Sequence, residues 1–305
     1  MASYKGRCMD NLVALYQERL GLKNAHFLRI DHDDAMVALV YKIIQPNAVP
    51  LILKVCSRPH DYLREVYFLK YFSGKLPVPR IVQTIPPETS IYGAILMECL
   101  PGTLLKMTDF SDRLAYEMGA LLARIHLYRV SGYGDLTQPE GLSSDPRFHF
   151  TLKFEEGLEE CHNHLPKELI EQCRLYYDRS VNLLISVDGP CIIHRDFRAG
   201  NVIVDNGKIQ GIIDWSSGRA SFAEDDFCPI EHGEWPSNIA RKKSFLVGYA
   251  SIRPVPDYSA IMPFLRLNRA IATVGFTVKR GTWDNNNSRV YQYNRQFLEA
   301  FFKDL

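Results

Sequence analysis

The first hundred residues alternate apolar and polar positions with the two-residue period of strands. "HFLRI" (26–30) and "AMVALVYKI" (35–43) flank a polar turn, Asp31-His32-Asp33-Asp34. "PLILKVC" (50–56) puts Ile52, Lys54 and Cys56 on one face of a strand and Leu51, Leu53 and Val55 on the other. The period then changes: in "HDYLREVYFLKYF" (60–72), Tyr62, Val66 and Leu69 recur at helical spacing, with Gly74, Pro77 and Pro79 beyond as a stop. "RIVQTI" and "IYGAILMEC", on either side of Pro86-Pro87, complete a predicted five-stranded antiparallel sheet accompanied by one helix.

Pro101-Gly102 ends this pattern, and the remainder reads as mainly helical. Leu114, Met118, Leu121, Leu122 and Ile125 form an apolar stripe, with Ser111 placed to cap its start. Helices are predicted over roughly 153–162 and 166–185, then a hairpin, then helices broken near Pro229, Pro236, Pro254, Pro256 and Pro263. The expected fold class is α+β in two lobes: 1–98, a hinge at 99–102, and a larger helical lobe over 103–305.

Composition narrows the field only slightly. The chain is 46% hydrophobic and 23% charged, with a formal net charge of +1, so no overall field points to nucleic acid or an acidic membrane. No apolar run approaches the roughly 18 residues a membrane span needs, and the N-terminus lacks the apolar stretch of a signal peptide. The seven cysteines (Cys8, Cys56, Cys99, Cys161, Cys173, Cys191 and Cys228) are scattered without a Cys-x-x-Cys pair, as expected of buried thiols in a reducing cytoplasm.

The candidate chemistry lies in "IIHRDFRAGNVIVDNGKIQGIIDW" (192–215). Asn206-Gly207 accepts the positive φ angles of a type I′ turn, which predicts a hairpin with Asp205 facing Lys208 and Asn201 facing Ile212. Asp214 lies two positions further on. A carboxamide and a carboxylate therefore converge at the open end of the hairpin, as hard oxygen ligands suited to Mg²⁺. Asp196, just upstream in a loop, has the chemistry to take a proton from an alcohol.

The run from His194 through Asp196 to Asn201, followed by "IIDW", resembles a kinase catalytic loop and its metal-binding Asp. The chain most resembles the aminoglycoside phosphotransferase and choline kinase-like family of small-molecule kinases, with a protein-kinase-like fold. That resemblance implies ATP or GTP and Mg²⁺ as cofactors, Asp196 as base, and Asn201 and Asp214 as metal ligands. It implies further that Lys54 holds nucleotide phosphates and pairs with Glu65, which lies on the helical stripe with Leu69 and Phe72. "AILMECLPG" corresponds to the adenine-binding hinge, with Met97 at the back of the pocket and main-chain groups of Glu98 and Leu100 offered to the base. Arg198 stands where a cation would meet the transferred phosphoryl group, or where a solvated loop would carry one. His194 and Arg195 are expected to orient the loop, and Asp226 to hold its backbone. One departure is plain: the first turn has no glycine-rich pattern, so the residues meeting the phosphates there are unassigned.

The acceptor is expected to be a small molecule, with no protein substrate, since Asp226 follows Asp214 by only twelve positions and no Ala-Pro-Glu intervenes. "AEDDFCPIEHGEW" gathers Glu224, Asp225, Asp226, Glu231 and Glu234 beside Trp235. Such a stretch suits a cationic acceptor such as an aminoglycoside, with Glu231, Glu234 and Trp235 as the contacts, or it is simply the acidic start of a helix. A kinase of choline, homoserine or sugar type, and a catalytically silent nucleotide-binding module, are the alternatives.

Overall fold

The computed structural model describes residues 4–30, 38–233, 239–285 and 288–303, with side chains from residue 12 onward. In chain order the elements are α1 (Tyr4–Arg19), β1 (His26–Arg29), β2 (Ala38–Ile44), β3 (Leu51–Cys56), α2 (Pro59–Phe72), β4 (Ile81–Ile85), β5 (Gly93–Glu98) and β6 (Thr103–Leu104). There follow α3 (Asp112–His126), α4 (Pro146–Cys161), α5 (Lys167–Ser180), β7 (Cys191–Ile193), β8 (Val202–Asp205), β9 (Lys208–Ile212), β10 (Arg219–Ser221), α6 (Ala223–Gly233), α7 (Ile239–Ala250), α8 (Met262–Lys279) and α9 (Ser288–Phe301). Chain contacts divide them into two compact units, residues 1–107 with 199–217, and residues 108–198 with 218–305. The polar turn expected at Asp31–Asp34, and the acceptor contacts expected from Glu234 and Trp235, lie outside the described residues.

The first unit carries the expected antiparallel sheet, in the order β1-β2-β3-β5-β4. Its strands form where β-branched and aromatic residues alternate, so that Leu53 and Val55 enter one core with Tyr41, Ile43, Ala94 and Leu96. The core is covered by α1, a helix additional to the single one expected in this part of the chain. Leu12, Val13, Tyr16 and Leu20 recur at one-, four- and eight-residue offsets and pack on the sheet. The intervening Gln17, Glu18 and Arg19 dilute that stripe, which is why the pattern reads weakly in sequence. Tyr16 secures the contact by donating its hydroxyl to the Tyr92 carbonyl at 2.7 Å.

Strands β6, β8 and β9 form a second sheet in the same unit. Asn206 and Gly207 adopt φ angles of 48° and 69°, the left-handed pair that a type I′ turn requires. Asp205 faces Lys208 as expected, but a bulge between Ile203 and Val204 shifts the ladder, so Val202, not Asn201, faces Ile212. One extra residue on β9 moves every pairing beyond it by one position. Asn201 instead accepts the Ile213 amide through its carbonyl at 3.0 Å.

In the second unit α3 packs on α7. A β-carbon on Gly119 would lie 1.9 Å from the Phe245 carbonyl oxygen, and one on Gly248 would lie 1.9 Å from that of Tyr116, so both glycines are needed for this approach. Ser111 caps α3 by accepting from the Leu114 amide at 3.2 Å. Helix α4 starts seven residues before the expected position, at Pro146, because Asp145 accepts the Arg147 amide and proline suits a first turn. Helix α5 stops at Ser180, and the rest of the predicted segment tightens into a 3-10 turn over Val181–Ser186. None of the described helices is long and apolar enough to cross a membrane.

Candidate active site

In the first unit three charged side chains meet. Lys54 Nζ lies 2.8 Å from Glu65 Oε2 and 2.8 Å from Asp214 Oδ1. Strand β3 alternates faces, so the residue between Leu53 and Val55 must point away from the apolar core, and α2 brings Glu65 to it. Burial works against both charges, pulling Lys54 down and pushing Glu65 up. Two carboxylates on one ammonium reverse the first effect, so Lys54 is held well above its ordinary range and stays charged. Glu65 remains raised, because its single cation only partly offsets its burial.

Asp214 owes its position to the residue after it. Trp215 is fully buried and stacks on Phe68 and Phe72 of α2, with ring centroids 5.6 and 4.8 Å away. With that indole fixed, Asp214 takes a φ of 64°, a left-handed setting costing about 1–3 kcal/mol in a residue with a side chain. Its Oδ1 also accepts the Ser216 hydroxyl at 2.8 Å, while the side chain remains 42% exposed. Asn201 is buried at the base of the hairpin. The two residues expected as metal ligands offer one carboxylate and one carboxamide. That suits Mg²⁺, which takes one or two protein oxygens and fills its remaining positions with water and substrate phosphates. Among the described residues no group of three His, Cys, Asp or Glu gathers as a self-contained metal site.

The expected hinge residues end β5. Met97 is buried and pairs with Ile52, and Glu98 pairs with Leu51. The Glu98 amide donates to the Arg80 carbonyl at 2.9 Å.

In the second unit the loop bearing Asp196 is held by one buried carboxylate. Asp226 Oδ2 accepts the His194 amide at 2.8 Å and Oδ1 accepts the Arg195 amide at 2.5 Å. Arg195 itself has a φ of 67°, a strained setting that these two bonds maintain. His126 Nε2 lies 3.1 Å from Asp226 Oδ2, and its Nδ1 lies 2.8 Å from the Tyr249 hydroxyl. An ionised carboxylate only accepts, so Nε2 donates to Asp226. The sequence reading missed His126 and Tyr249, whose helices lie far from the loop in the chain.

Asp196 faces arginines. Arg198 Nε is 3.3 Å from Oδ2, and Arg269 Nη2, from α8, is 3.7 Å from Oδ1. Arg269 carried no signal in sequence, being one arginine in an amphipathic helix. The acidic stretch over 224–231 has uses other than an open cationic pocket. Glu224 accepts the Asp188 amide, Asp226 holds the loop, and Glu231 is paired with Lys242 at 2.5 Å and receives the Tyr258 hydroxyl at 2.8 Å.

The sheet-bearing first unit, the mainly helical second unit and the Lys-Glu-Asp cluster describe a protein-kinase-like phosphotransferase fold. The sequence model of the phosphotransferase enzyme family, APH, matches residues 34–227, well over half of the chain, and the chain belongs to that family. Homoserine kinase of Neisseria meningitidis serogroup B (strain ATCC BAA-335 / MC58) is 21% identical over 271 residues, covering 82% of this chain and 77% of that protein. The fold is similar to a thermostable mutant of aminoglycoside phosphotransferase APH(4)-Ia in ternary complex with AMP-PNP and hygromycin B. That match has a TM-score of 0.72 at 14% identity, covering 95% of this chain and 97% of the other. It is similar also to the gentamicin complex of APH(2")-IIa, with a TM-score of 0.69 at 16% identity, covering 94% and 97%. The protein is a small-molecule kinase of this family.

Proposed function

We propose that the chain transfers the γ-phosphoryl group of ATP or GTP, with Mg²⁺, to a hydroxyl of a small molecule. The observation that carries this is Lys54 Nζ at 2.8 Å from both Glu65 and Asp214. A buried ammonium with two carboxylates is costly to assemble and adds little net stability, so its retention favours a role with phosphates. In this reading Lys54 meets the nucleotide phosphates while Glu65 keeps it oriented. Met97 closes the back of the base pocket, and main-chain groups of Glu98 and Leu100 meet the base. Asn201 and Asp214 would hold Mg²⁺, which when bound neutralises phosphate charge.

Asp196 takes the proton of the acceptor hydroxyl as its oxygen forms a bond to the γ-phosphorus. The bond from that phosphorus to the β,γ-bridging oxygen breaks, and the nucleoside diphosphate leaves. Arg198 balances charge on the transferred group. His194, Arg195 and Asp226 keep the loop in place. The similar proteins named for homoserine, hygromycin B and gentamicin support a small acceptor of this kind.

The test is nucleotide consumption with Mg²⁺ across a panel of amino alcohols, hydroxy acids, sugars and aminoglycosides, alongside nucleotide binding by Asp214→Ala. Acceptor-dependent turnover, with Mg²⁺-dependent binding lost in Asp214→Ala, is the expected result. Unchanged metal dependence in that variant removes the hairpin from the site.

A further inference from the structure

The surroundings of Asp196 are basic. Arg198 and Arg269 both approach its carboxylate, at 3.3 and 3.7 Å. Arg195, Arg219 and Arg269 all attract the neighbouring Asp225 carboxylate. Four guanidiniums therefore stand around three carboxylates, since Asp226 lies beside Asp225. The acids of this stretch have partners of their own. Glu224 and Asp226 are buried and hold the Asp188, His194 and Arg195 amides, and Glu231 is matched by Lys242.

From this arrangement we infer that the acceptor is anionic: a short hydroxy compound bearing a carboxylate or phosphate, recognised by Arg269 beside the base Asp196. The inference rests on the phosphotransferase reading and names the substrate class of the same site. Three features argue for it. Arg269 sits beyond hydrogen-bond length from Asp196, so its planar fork, 32% exposed, can engage a second oxyanion while remaining near the first. Its helix is rigid: Leu265, Leu267, Ala270, Ile271 and Val274 are all buried, so the guanidinium is delivered from a fixed backbone. Finally, a polycation brought to Asp196 would meet excess positive charge, whereas a carboxylate would meet the geometry that arginine matches in a bidentate way. The closeness of Arg269 to Asp196 places the anion and the reacting hydroxyl a few atoms apart, which suits a small acid better than an oligosaccharide.

The test uses matched acceptors with Mg²⁺-ATP and the full chain: homoserine against its decarboxylated amino alcohol, glycerate against glycerol, glycerol phosphate as the phosphate arm, and kanamycin as the polycation. We expect the anionic member of at least one pair to have a KM about tenfold lower or better, the factor of one charge-assisted pair. Arg269→Gln should erase that preference, raising the anion's KM about tenfold with a smaller change in kcat, and Arg269→Lys should restore part of it. Which of glycerate and glycerol phosphate is preferred identifies the anion. Preference for kanamycin or for the uncharged member overturns the inference. So does an anion KM that ignores Arg269→Gln, or a panel in which no anionic compound is turned over or competes. Mg²⁺-dependent nucleotide binding and slow hydrolysis by water, measured on the same preparations, separate the outcomes. Their loss sinks the phosphotransferase reading itself, whereas their presence with the opposite acceptor preference sinks only the anionic acceptor.

Discussion

Asp214 and Asp196 are both aspartates on the same stretch of chain, but their neighbourhoods differ in kind. Around Asp214, one ammonium is shared between two carboxylates, and the cluster is held by packing, chiefly Trp215 on Phe68 and Phe72. Around Asp196, guanidiniums outnumber carboxylates, and the loop is held by hydrogen bonds, chiefly from two amides to Asp226. The first region carries one more carboxylate than ammonium and suits a phosphate chain that brings its own cation. The second is left with positive charge that a substrate must answer. Partner charge is thus divided by region, and one overall net charge of +1 conceals it.

The sharpest way to break this comparison is Asp196→Ala. If Asp196 is the base and the Asp214 region holds the nucleotide independently, kcat falls about 10²–10⁴-fold while nucleotide affinity stays within experimental error. A loss shared equally between turnover and nucleotide binding would show that the two regions are not separable.

Next in size is Asp226→Ala, which takes the acceptor from two buried amides and from His126. Leaving these donors without an acceptor costs about 1–3 kcal/mol each, read as a lower urea midpoint, and turnover should fall with it. A variant as stable as the parent would mean that the loop is held by packing after all.

Lys54→Met tests the other region. It strands Glu65 in a buried site, at a cost of up to about 3–5 kcal/mol, and the double variant with Glu65→Leu should recover most of that stability while remaining inactive. Recovery of stability without activity is the signature of a cluster kept for chemistry.

The smallest effect concerns His232, which burial pushes down to about 4, with Arg266 and Arg269 adding to the shift. A proton there would join two guanidiniums in the region already rich in them. The folded state therefore leaves His232 neutral where the unfolded chain binds a proton, so stability is complete above pH 6.5 and declines as pH falls toward 4. The full loss is about 3 kcal/mol, from a shift of that size at 1.36 kcal/mol per pH unit. His232→Gln should flatten this part of the stability profile, and an unchanged profile removes His232 as its source.

Much of the first region was legible in the sequence because its signals are local. Alternation in 50–56 put Lys54 opposite the core, helical spacing put Glu65 on a buried stripe, and Asn206-Gly207 marked the turn. What was lost there was a bulge of one residue, since an extra position in β9 leaves no mark on an apolar run. The second region was only half legible. Asp196 and Asp226 stand in readable motifs, but His126, Tyr249 and Arg269 come from helices whose pattern reports only which face is buried. The acidic run around Glu231 was legible as charge, but a sequence does not show that Lys242 and Tyr258 meet it.

The single carboxylate of Asp226 has a consequence for how the protein comes into being. Every residue of the catalytic motif up to Asp214 precedes it in the chain, yet the Arg195 turn is held by a side chain thirty-one positions downstream, itself braced by His126 and Tyr249. A nascent chain emerging from the ribosome therefore carries the complete kinase signature well before it has a catalytic loop of defined shape. Helices α6 and α7, synthesised after that signature, finish the assembly, and the amides of His194 and Arg195 should gain protection from hydrogen exchange only when they arrive.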